Sequence, residues 1–174
     1  MNKACFLSVA MPMKLFKGIL ICLLLTIGKS GFSQSVSVIQ LPALEKLLAT
    51  PGDTTYLINF WATWCQPCLE ELPYLEEFNA KHAKDKVKVI LISLDFASKL
   101  ETKVKPLVQK KRLRSTVLLL NEPDQNAWID KVDSQWSGAI PFTIMFNNDR
   151  KKRNTFEKAF SKAELETVYR AFLL

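Results

Sequence analysis

Apolar and polar positions alternate between strand-like and helix-like spacing from residue 36 to the end of the chain. Apolar or β-branched runs predict strands at 36–39, 55–60, 87–94, 116–120, 142–146 and 153–156. Helical spacing predicts helices at 42–48, 67–81, 98–112 and 124–132, and a last one from a capping box at 161–164 to about residue 172. Pro73 is expected to kink the second helix and Pro106 to break the third. This alternation is typical of a single α/β domain, with the last strand antiparallel at an edge.

The first 33 residues differ in composition from the rest of the chain. They contain four lysines, no acidic residue and an apolar run of about ten residues at 18–27. That run is too short to cross a membrane, which takes about 20 residues, but it suits the core of a signal peptide. Small residues at Gly31 and Ser33 predict cleavage before Gln34, and a start at Met11 or Met13 would give a more usual leader. We expect a signal peptide at 1–33 and one exported domain at 34–174, with an uncleaved membrane anchor as the alternative.

The composition and the net charge exclude some classes of protein and of partner. The 174 residues are 48% hydrophobic and 24% charged, which describes a globular chain rather than a disordered one. The net charge of +7 falls to +3 without the four leader lysines, so charge gives no reason to expect a nucleic-acid partner. One basic run is expected to be a solvated face, or alternatively a patch for an acidic protein or an anionic membrane. It consists of Lys103, Lys105, Lys110, Lys111, Arg112 and Arg114.

Two of the four cysteines, Cys65 and Cys68, lie outside the leader. Structural zinc needs four ligands and His82 is the only histidine, so no metal is expected. Leu69 stands where covalent haem attachment would need a histidine, and no other cofactor is indicated. The two cysteines are therefore expected to bond to each other, in a redox-active disulfide or in a structural one. A structural bridge across so short a loop would add little stability, because the chain-entropy gain grows with loop length.

The cysteine pair sits where the strand at 55–60 ends and the helix at 67–81 begins. Unpaired N–H groups and the positive end of the helix dipole stabilise a thiolate there, so Cys65 is expected to be the nucleophile. Cys68 follows three residues later on the same helical face and is expected to be the resolving thiol. Pro67 stiffens the first turn without removing a hydrogen bond that the helix needs.

The segment Trp-Ala-Thr-Trp-Cys-Gln-Pro-Cys at 61–68 resembles the thioredoxin superfamily, and more narrowly the exported TlpA/ResA-like thiol-disulfide oxidoreductases of bacterial envelopes. Glu-Leu-Pro at 71–73 is similar to the Glu-x-Pro of that group, and Gly-Ala-Ile-Pro-Phe-Thr at 138–143 is similar to its cis-proline loop. The stretch 98–132 is similar to its inserted helix and strand. The resemblance implies a thioredoxin fold, with a central mixed sheet flanked by helices and an inserted helix-strand element.

The resemblance also implies roles for residues around the cysteines. Pro141 would be cis and place the backbone of Ile140 against the disulfide, where substrate binds; an ordinary trans proline is the alternative. Trp64, Gln66 and Pro67 would contact substrate. From the residues themselves we also expect an apolar platform of Trp61, Trp64, Ile140 and Phe142 around the disulfide, with Trp61 as a plain core residue as the alternative. Glu71 would handle the proton of Cys68, or be an ordinary solvated acid. Asn59 stands where thioredoxins proper carry a buried Asp, so proton handling is expected to differ from theirs.

The function expected from this resemblance is reduction of protein disulfides in the periplasm or cell envelope of a bacterium. Partners would be a disulfide-containing protein substrate and a membrane thiol electron donor, with no nucleic acid, and the protein would be a monomer. The Gln-Pro dipeptide between the cysteines resembles the loops of reductases more than the Pro-His of strong oxidases. Alternatives are a disulfide-forming oxidase, a peroxide-reducing enzyme and a non-catalytic peptide-binding module.

Overall fold

A computed structural model describes residues 34–122, 124 and 127–174; the signal peptide expected at 1–33 lies outside this part of the chain. The strands are β1 (Ser37–Ile39), β2 (Thr55–Trp61), β3 (Val87–Ser93), β4 (Thr116–Leu120), β5 (Phe142–Asn147) and β6 (Lys152–Phe156). The α-helices are α1 (Leu41–Leu48), α2 (Gln66–Lys81), α3 (Lys105–Lys111), α4 (Ile129–Val132) and α5 (Lys162–Leu173). None of the helices in the described part of the chain is long and apolar enough to span a membrane.

The six strands form one mixed sheet in the order β1-β4-β3-β2-β5-β6. The four strands β1, β4, β3 and β2 are parallel, while β5 is antiparallel to β2 and β6 is antiparallel to β5. All seven residues of β2 are buried, as expected for a central strand covered on both faces. The predicted mixed sheet flanked by helices is therefore confirmed.

Two apolar clusters fill the two faces of the sheet. Alternate residues of β2 point to opposite faces, so Leu57 joins one cluster and Ile58 the other. The first cluster lies beneath α2, α3 and α5 and includes Leu72, Val108 and Tyr169. The second lies beneath α1 and the segment around α4, and it includes Leu44 and the aromatic side chains of Phe60, Trp128 and Trp136.

The start of α2 is placed at the edge of the sheet where β2 and β3 both end. Trp61 and Ser93, the last residues of these strands, are register partners, and Leu94 N donates to Trp61 O at 2.8 Å. The carboxyl ends of parallel strands meet at one edge, where α/β sheets usually carry their ligand sites. The turn between β2 and α2 therefore lies at an exposed edge of the sheet, although β2 itself is buried.

The helix predicted at 98–112 is the element that differs most from expectation. A 3₁₀ turn (Ala97–Lys99) and a π turn (Leu100–Val104) come first, and the α-helix covers only Lys105–Lys111. Pro106 lies at the start of that helix rather than breaking one, because a proline ring lacks the N–H that an earlier α-helical turn would need. In the π turn, Lys105 N donates to Leu100 O, five residues back.

Three other helix predictions compare as follows with the structure. The helix expected at 124–132 is short and covers Ile129–Val132, while residues 123, 125 and 126 lie outside the described part of the chain. Helix α2 continues through Pro73. The capping box is present: Ser161 accepts from Glu164 N, and the Glu164 carboxylate accepts from Ser161 N. The four N-terminal N–H groups of a helix lack partners within it, so this box explains why α5 begins at Lys162.

Candidate active site

Cys65 and Cys68 form a disulfide across the first turn of α2, with their Cα atoms 5.3 Å apart. Cys65 is the N-cap residue, and the N–H of Cys68 donates to Cys65 Sγ at 3.3 Å. Cys65 keeps 5% of its surface exposed, whereas Cys68 is fully buried. Cys65 is therefore the more accessible of the two cysteines, and Cys68 offers no surface to a molecule arriving from solvent.

The loop before β5 lies directly against the disulfide. The carbonyl oxygen of Ile140 is 3.7 Å from Cys65 Sγ, and the Ile140–Pro141 peptide bond is cis. Pro141 is buried, while Ile140 is half-buried and packs against both apolar clusters. The residues expected to surround the cysteines are thus brought together from two segments about 75 positions apart in the chain.

Glu71 lies one turn after Cys68 in α2, and its side chain is almost completely buried, with 1% exposure. Both carboxylate oxygens accept hydrogen bonds: Asn59 Nδ2 donates to Oε1 at 2.7 Å, and Phe160 N donates to Oε2 at 2.8 Å. The amide of Asn59 also donates to Thr143 Oγ1 at 3.0 Å. This network links α2 to β2, to β5 and to the segment before α5.

The buried position of Glu71 changes its acidity. Burial removes the carboxylate from water and raises the pKa of Glu71 to about 7. The hydrogen bonds from Phe160 and Asn59 lower the pKa, but their effect is smaller than that of burial. Among the described residues, only burial and these two hydrogen bonds contribute to the shift. A carboxyl group with a pKa near 7 can accept and release protons at neutral pH, as a general acid or base must.

Asp95 anchors the turn that precedes Cys65. Its carboxylate accepts three hydrogen bonds, from Thr63 N at 2.9 Å, Thr63 Oγ1 at 2.5 Å and Ser93 Oγ at 2.8 Å. Asp95 is 3% exposed and directly follows the strand predicted at 87–94. Sequence reasoning missed it, although its place after a buried parallel strand was the available signal.

Replacing Asp95 with Asn is expected to destabilise the oxidised protein by about 1 to 3 kcal/mol. The amide has one acceptor oxygen in place of two, so at least one of the donors on Thr63 and Ser93 loses its acceptor. Urea unfolding measures the change. Asp130 is exposed, and Asp130→Asn is the control, expected to stay within about 0.5 kcal/mol of the original protein. Equal stabilities for both variants would show that Asp95 does not anchor the turn.

The surface around the disulfide is less apolar than the sequence predicts. Trp61 and Phe142 are buried in different clusters on opposite faces of the sheet, so they cannot form a shared platform with Trp64 and Ile140. Trp64 is 69% exposed beside Cys65. The two residues between the cysteines are also exposed, and Gln66 Nε2 donates to Glu70 Oε1 at 2.9 Å.

A second exposed aromatic side chain, which sequence reasoning missed, lies at the same edge of the sheet. Phe96 is 73% exposed and directly follows Asp95, the residue that binds Thr63 in the cysteine turn. Within the described part of the chain, no three side chains of His, Cys, Asp or Glu come together as a metal site would require. The chemically distinctive groups at this edge are therefore the disulfide, a buried carboxyl group and two exposed aromatic rings.

One protein-family model matches most of the chain. The Redoxin family model matches residues 39–170. A thiol-disulfide oxidoreductase ResA from Bacillus cereus is 28% identical over 109 residues, which cover 63% of this chain and 58% of that protein. A ResA from Oceanobacillus iheyensis is 44% identical over 39 residues, which are 22% of this chain and 20% of that one. The chain thus spans between 20% and 58% of the length of these relatives.

Comparison with solved structures supports the fold. StoA from Bacillus subtilis superposes with a TM-score of 0.52 at 20% identity, covering 68% of this chain and 84% of StoA. A thioredoxin-related protein from Neisseria meningitidis serogroup B superposes with a TM-score of 0.59 at 19% identity, covering 71% of this chain and 88% of that one. These likenesses confirm the thioredoxin fold expected from the sequence.

Proposed function

Because the chain belongs to the Redoxin family and is a ResA/TlpA-like member of the thioredoxin superfamily, we propose that it is a thiol-disulfide oxidoreductase that reduces protein disulfides in the bacterial cell envelope. One observation carries the proposal: a disulfide at the N-terminus of a helix, in which Cys65 keeps some exposed surface and Cys68 is fully buried. The composition of residues 1–33 supports export.

The first step of the reaction is attack by Cys65. Cys68 N already points at Cys65 Sγ in the oxidised protein, and Cys65 lies at the positive end of the α2 dipole; after reduction both interactions favour the thiolate. The thiolate attacks one sulfur of a substrate disulfide. A mixed disulfide forms between Cys65 and the substrate, and the other substrate sulfur leaves as a thiolate that takes up a proton.

The second step is resolution by Cys68. Its thiol loses a proton, attacks Cys65 Sγ and re-forms the Cys65–Cys68 disulfide, while the second substrate sulfur leaves and is protonated. Glu71 accepts the proton of Cys68, since it lies three residues further along the same helix, is buried as Cys68 is and has a pKa of about 7. The substrate disulfide becomes two thiols, and the protein dithiol becomes a disulfide.

Another cycle requires a reductant, which we assign to a membrane-bound dithiol electron donor. It reduces the Cys65–Cys68 disulfide by the same exchange in reverse and is itself oxidised to a disulfide. A dedicated donor is needed because compartments outside the cytosol are oxidising. Gln66 and Pro67 between the cysteines support the reductive direction, through their likeness to the loops of reductases.

The reduction potential of the Cys65–Cys68 pair tests the direction. We expect a value near or below about −230 mV, in the range of thioredoxins and glutaredoxins. It is measured by equilibrating the purified protein with a thiol redox buffer and following the fluorescence of Trp64 and Trp61, which lie close to the disulfide in sequence. A value near about −120 mV would make the protein a disulfide-forming oxidant, and a pair that resists reduction throughout would indicate a structural disulfide.

A further inference from the structure

The charge of region 34–174 is distributed unevenly. Residues 99–114, which we call the basic segment, carry seven Lys and Arg and one Glu, a net +6, while the rest of the region carries a net −3. Two of its lysines are paired: Lys105 with Glu101, and Lys111 with a backbone carbonyl. In the described ranges 34–122, 124 and 127–174, five other side chains of the segment are exposed with no ion pair or side-chain hydrogen bond. They are Lys99, Lys103, Lys110, Arg112 and Arg114.

The basic segment is tied to the disulfide turn near both of its ends. Near its start, Asp95 accepts hydrogen bonds from Thr63, two residues before Cys65. Near its end, Lys111 Nζ donates to Leu69 O at 2.9 Å, one residue after Cys68. The basic segment is therefore attached to the residues that flank the two cysteines on either side.

Two exposed aromatic residues are chain neighbours of the disulfide turn and of the start of the basic segment. Trp64 and Phe96, which we call the aromatic pair, are 69% and 73% exposed. They directly follow Thr63 and Asp95, which are hydrogen-bonded to each other, so both rings branch from the same connection between the disulfide turn and the end of β3. Large aromatic side chains exposed beside a reactive group are typical anchors for a protein partner.

We propose that the protein substrates dock through a segment that is acidic and carries an apolar residue beside its reactive cysteine. The apolar residue packs on the aromatic pair, while carboxylates near it face the basic segment. Complementary charge steers encounter and raises the association rate. This inference rests on the proposed function, since it names the substrate class of the same site. An anionic membrane fits less well, because a bilayer covering the aromatic pair would block the path of a substrate to Cys65.

The test uses three peptides that share one disulfide and a Leu beside the cysteine, and that differ only in flanking residues, which are Glu, Gln or Lys. The second-order rate constant for their reaction with the reduced protein is measured by stopped-flow fluorescence. At low salt we expect the Glu peptide to react at least about tenfold faster than the Lys peptide. The ratio should fall below about twofold at about 0.5 M salt, where the Debye length is only a few ångströms.

Two matched pairs of lysine substitutions test which part of the surface causes the difference between the peptide rates. Lys103→Gln together with Lys110→Gln should lower the ratio of Glu-peptide to Lys-peptide rates by about threefold or more. Lys84→Gln together with Lys88→Gln removes the same charge from exposed positions near the start of β3, at the other edge of the sheet, and should leave the ratio unchanged. Phe96→Ser should slow the Leu peptide more than a peptide with Ala in place of Leu.

The outcomes separate the docking proposal from the proposed function. Reaction with hydroxyethyl disulfide, which is small and uncharged, reports the exchange chemistry alone. If it is absent, the proposed function fails and this proposal with it. If it is present but the three peptides react equally, or the control pair lowers the ratio as much, only the docking proposal is wrong. A membrane role would appear as binding to vesicles of phosphatidylglycerol and phosphatidylcholine that Lys103→Gln/Lys110→Gln abolishes. If the protein bound such vesicles and did not discriminate between the peptides, the docking proposal would be wrong and the basic segment would be a membrane-binding surface.

Discussion

Cys65→Ser is expected to lower disulfide reduction by a factor on the order of 10³ or more, the scale on which loss of a nucleophile affects enzymes. Cys68 cannot take over the attack, because it is fully buried and the substrate cannot reach its sulfur. The measurement is turnover of a disulfide peptide with a chemical dithiol as reductant. A chain that merely binds peptides would keep its function after this substitution, so an active Cys65→Ser variant would exclude the proposed chemistry.

Cys68→Ser is the matched control for this prediction, since it removes the same disulfide but keeps the nucleophile. It is expected to stop after the first step and accumulate a mixed disulfide between Cys65 and the substrate, visible by mass spectrometry as an increase by the mass of the substrate. Cys65→Ser should form no such adduct. If the adduct instead appeared in Cys65→Ser, the roles of the two cysteines would be reversed.

The stability of the oxidised protein is expected to decrease as pH rises from about 4.5 to about 7 because of Glu71. Burial raises the pKa of its carboxyl group from 4.5 in the unfolded chain to about 7 in the folded one. The folded state therefore binds more protons than the unfolded state in this window, and the contribution of Glu71 is fully present below it and lost above it. The shift corresponds to a decrease in unfolding free energy on the order of 3 kcal/mol.

Glu71→Gln isolates this contribution, because an amide of the same shape does not titrate. Urea unfolding at pH 5 and pH 8 should show a smaller loss of stability in Glu71→Gln than in the original protein. Glu70→Gln alters the preceding, exposed residue of the same helix and should keep the original dependence on pH. Identical pH dependence in all three proteins would show that Glu71 does not titrate in this range.

The same variant also tests the proton transfer to Glu71. We expect Glu71→Gln to slow resolution of the mixed disulfide by about a hundredfold, the lower end of what a positioned general base supplies. The rate in the original protein should rise with pH and level off above about 7, and this inflection should be absent in Glu71→Gln. A purely structural Glu71 would affect the stability and leave the shape of the pH profile unchanged.

Local chemistry accounts for the elements that sequence analysis predicted well. The strand β2 is apolar throughout most of its length, as a strand covered on both faces must be, and Ser161 with Glu164 defines the start of α5 through contacts three residues apart. The helix N-terminus after Trp64 likewise follows from neighbouring residues. The stretch 98–112 was less predictable, because Pro106 lacks the N–H of a regular α-helix and the preceding residues form a π turn whose last residue, Val104, is fully buried.

The sequence by itself determined the redox-active candidate pair, the α/β class and the placement of most strands, because these depend on residues within one or two turns of each other. Only the tertiary structure decided the environment of that pair. Glu71 meets Asn59 and Phe160, and Asp95 meets Thr63, across separations of 12, 89 and 32 residues, so these contacts exist only once β2 and β3 pair in register and α2 packs on them. Burial, which raises the pKa of Glu71, is a property of that packing and leaves no mark on the local sequence.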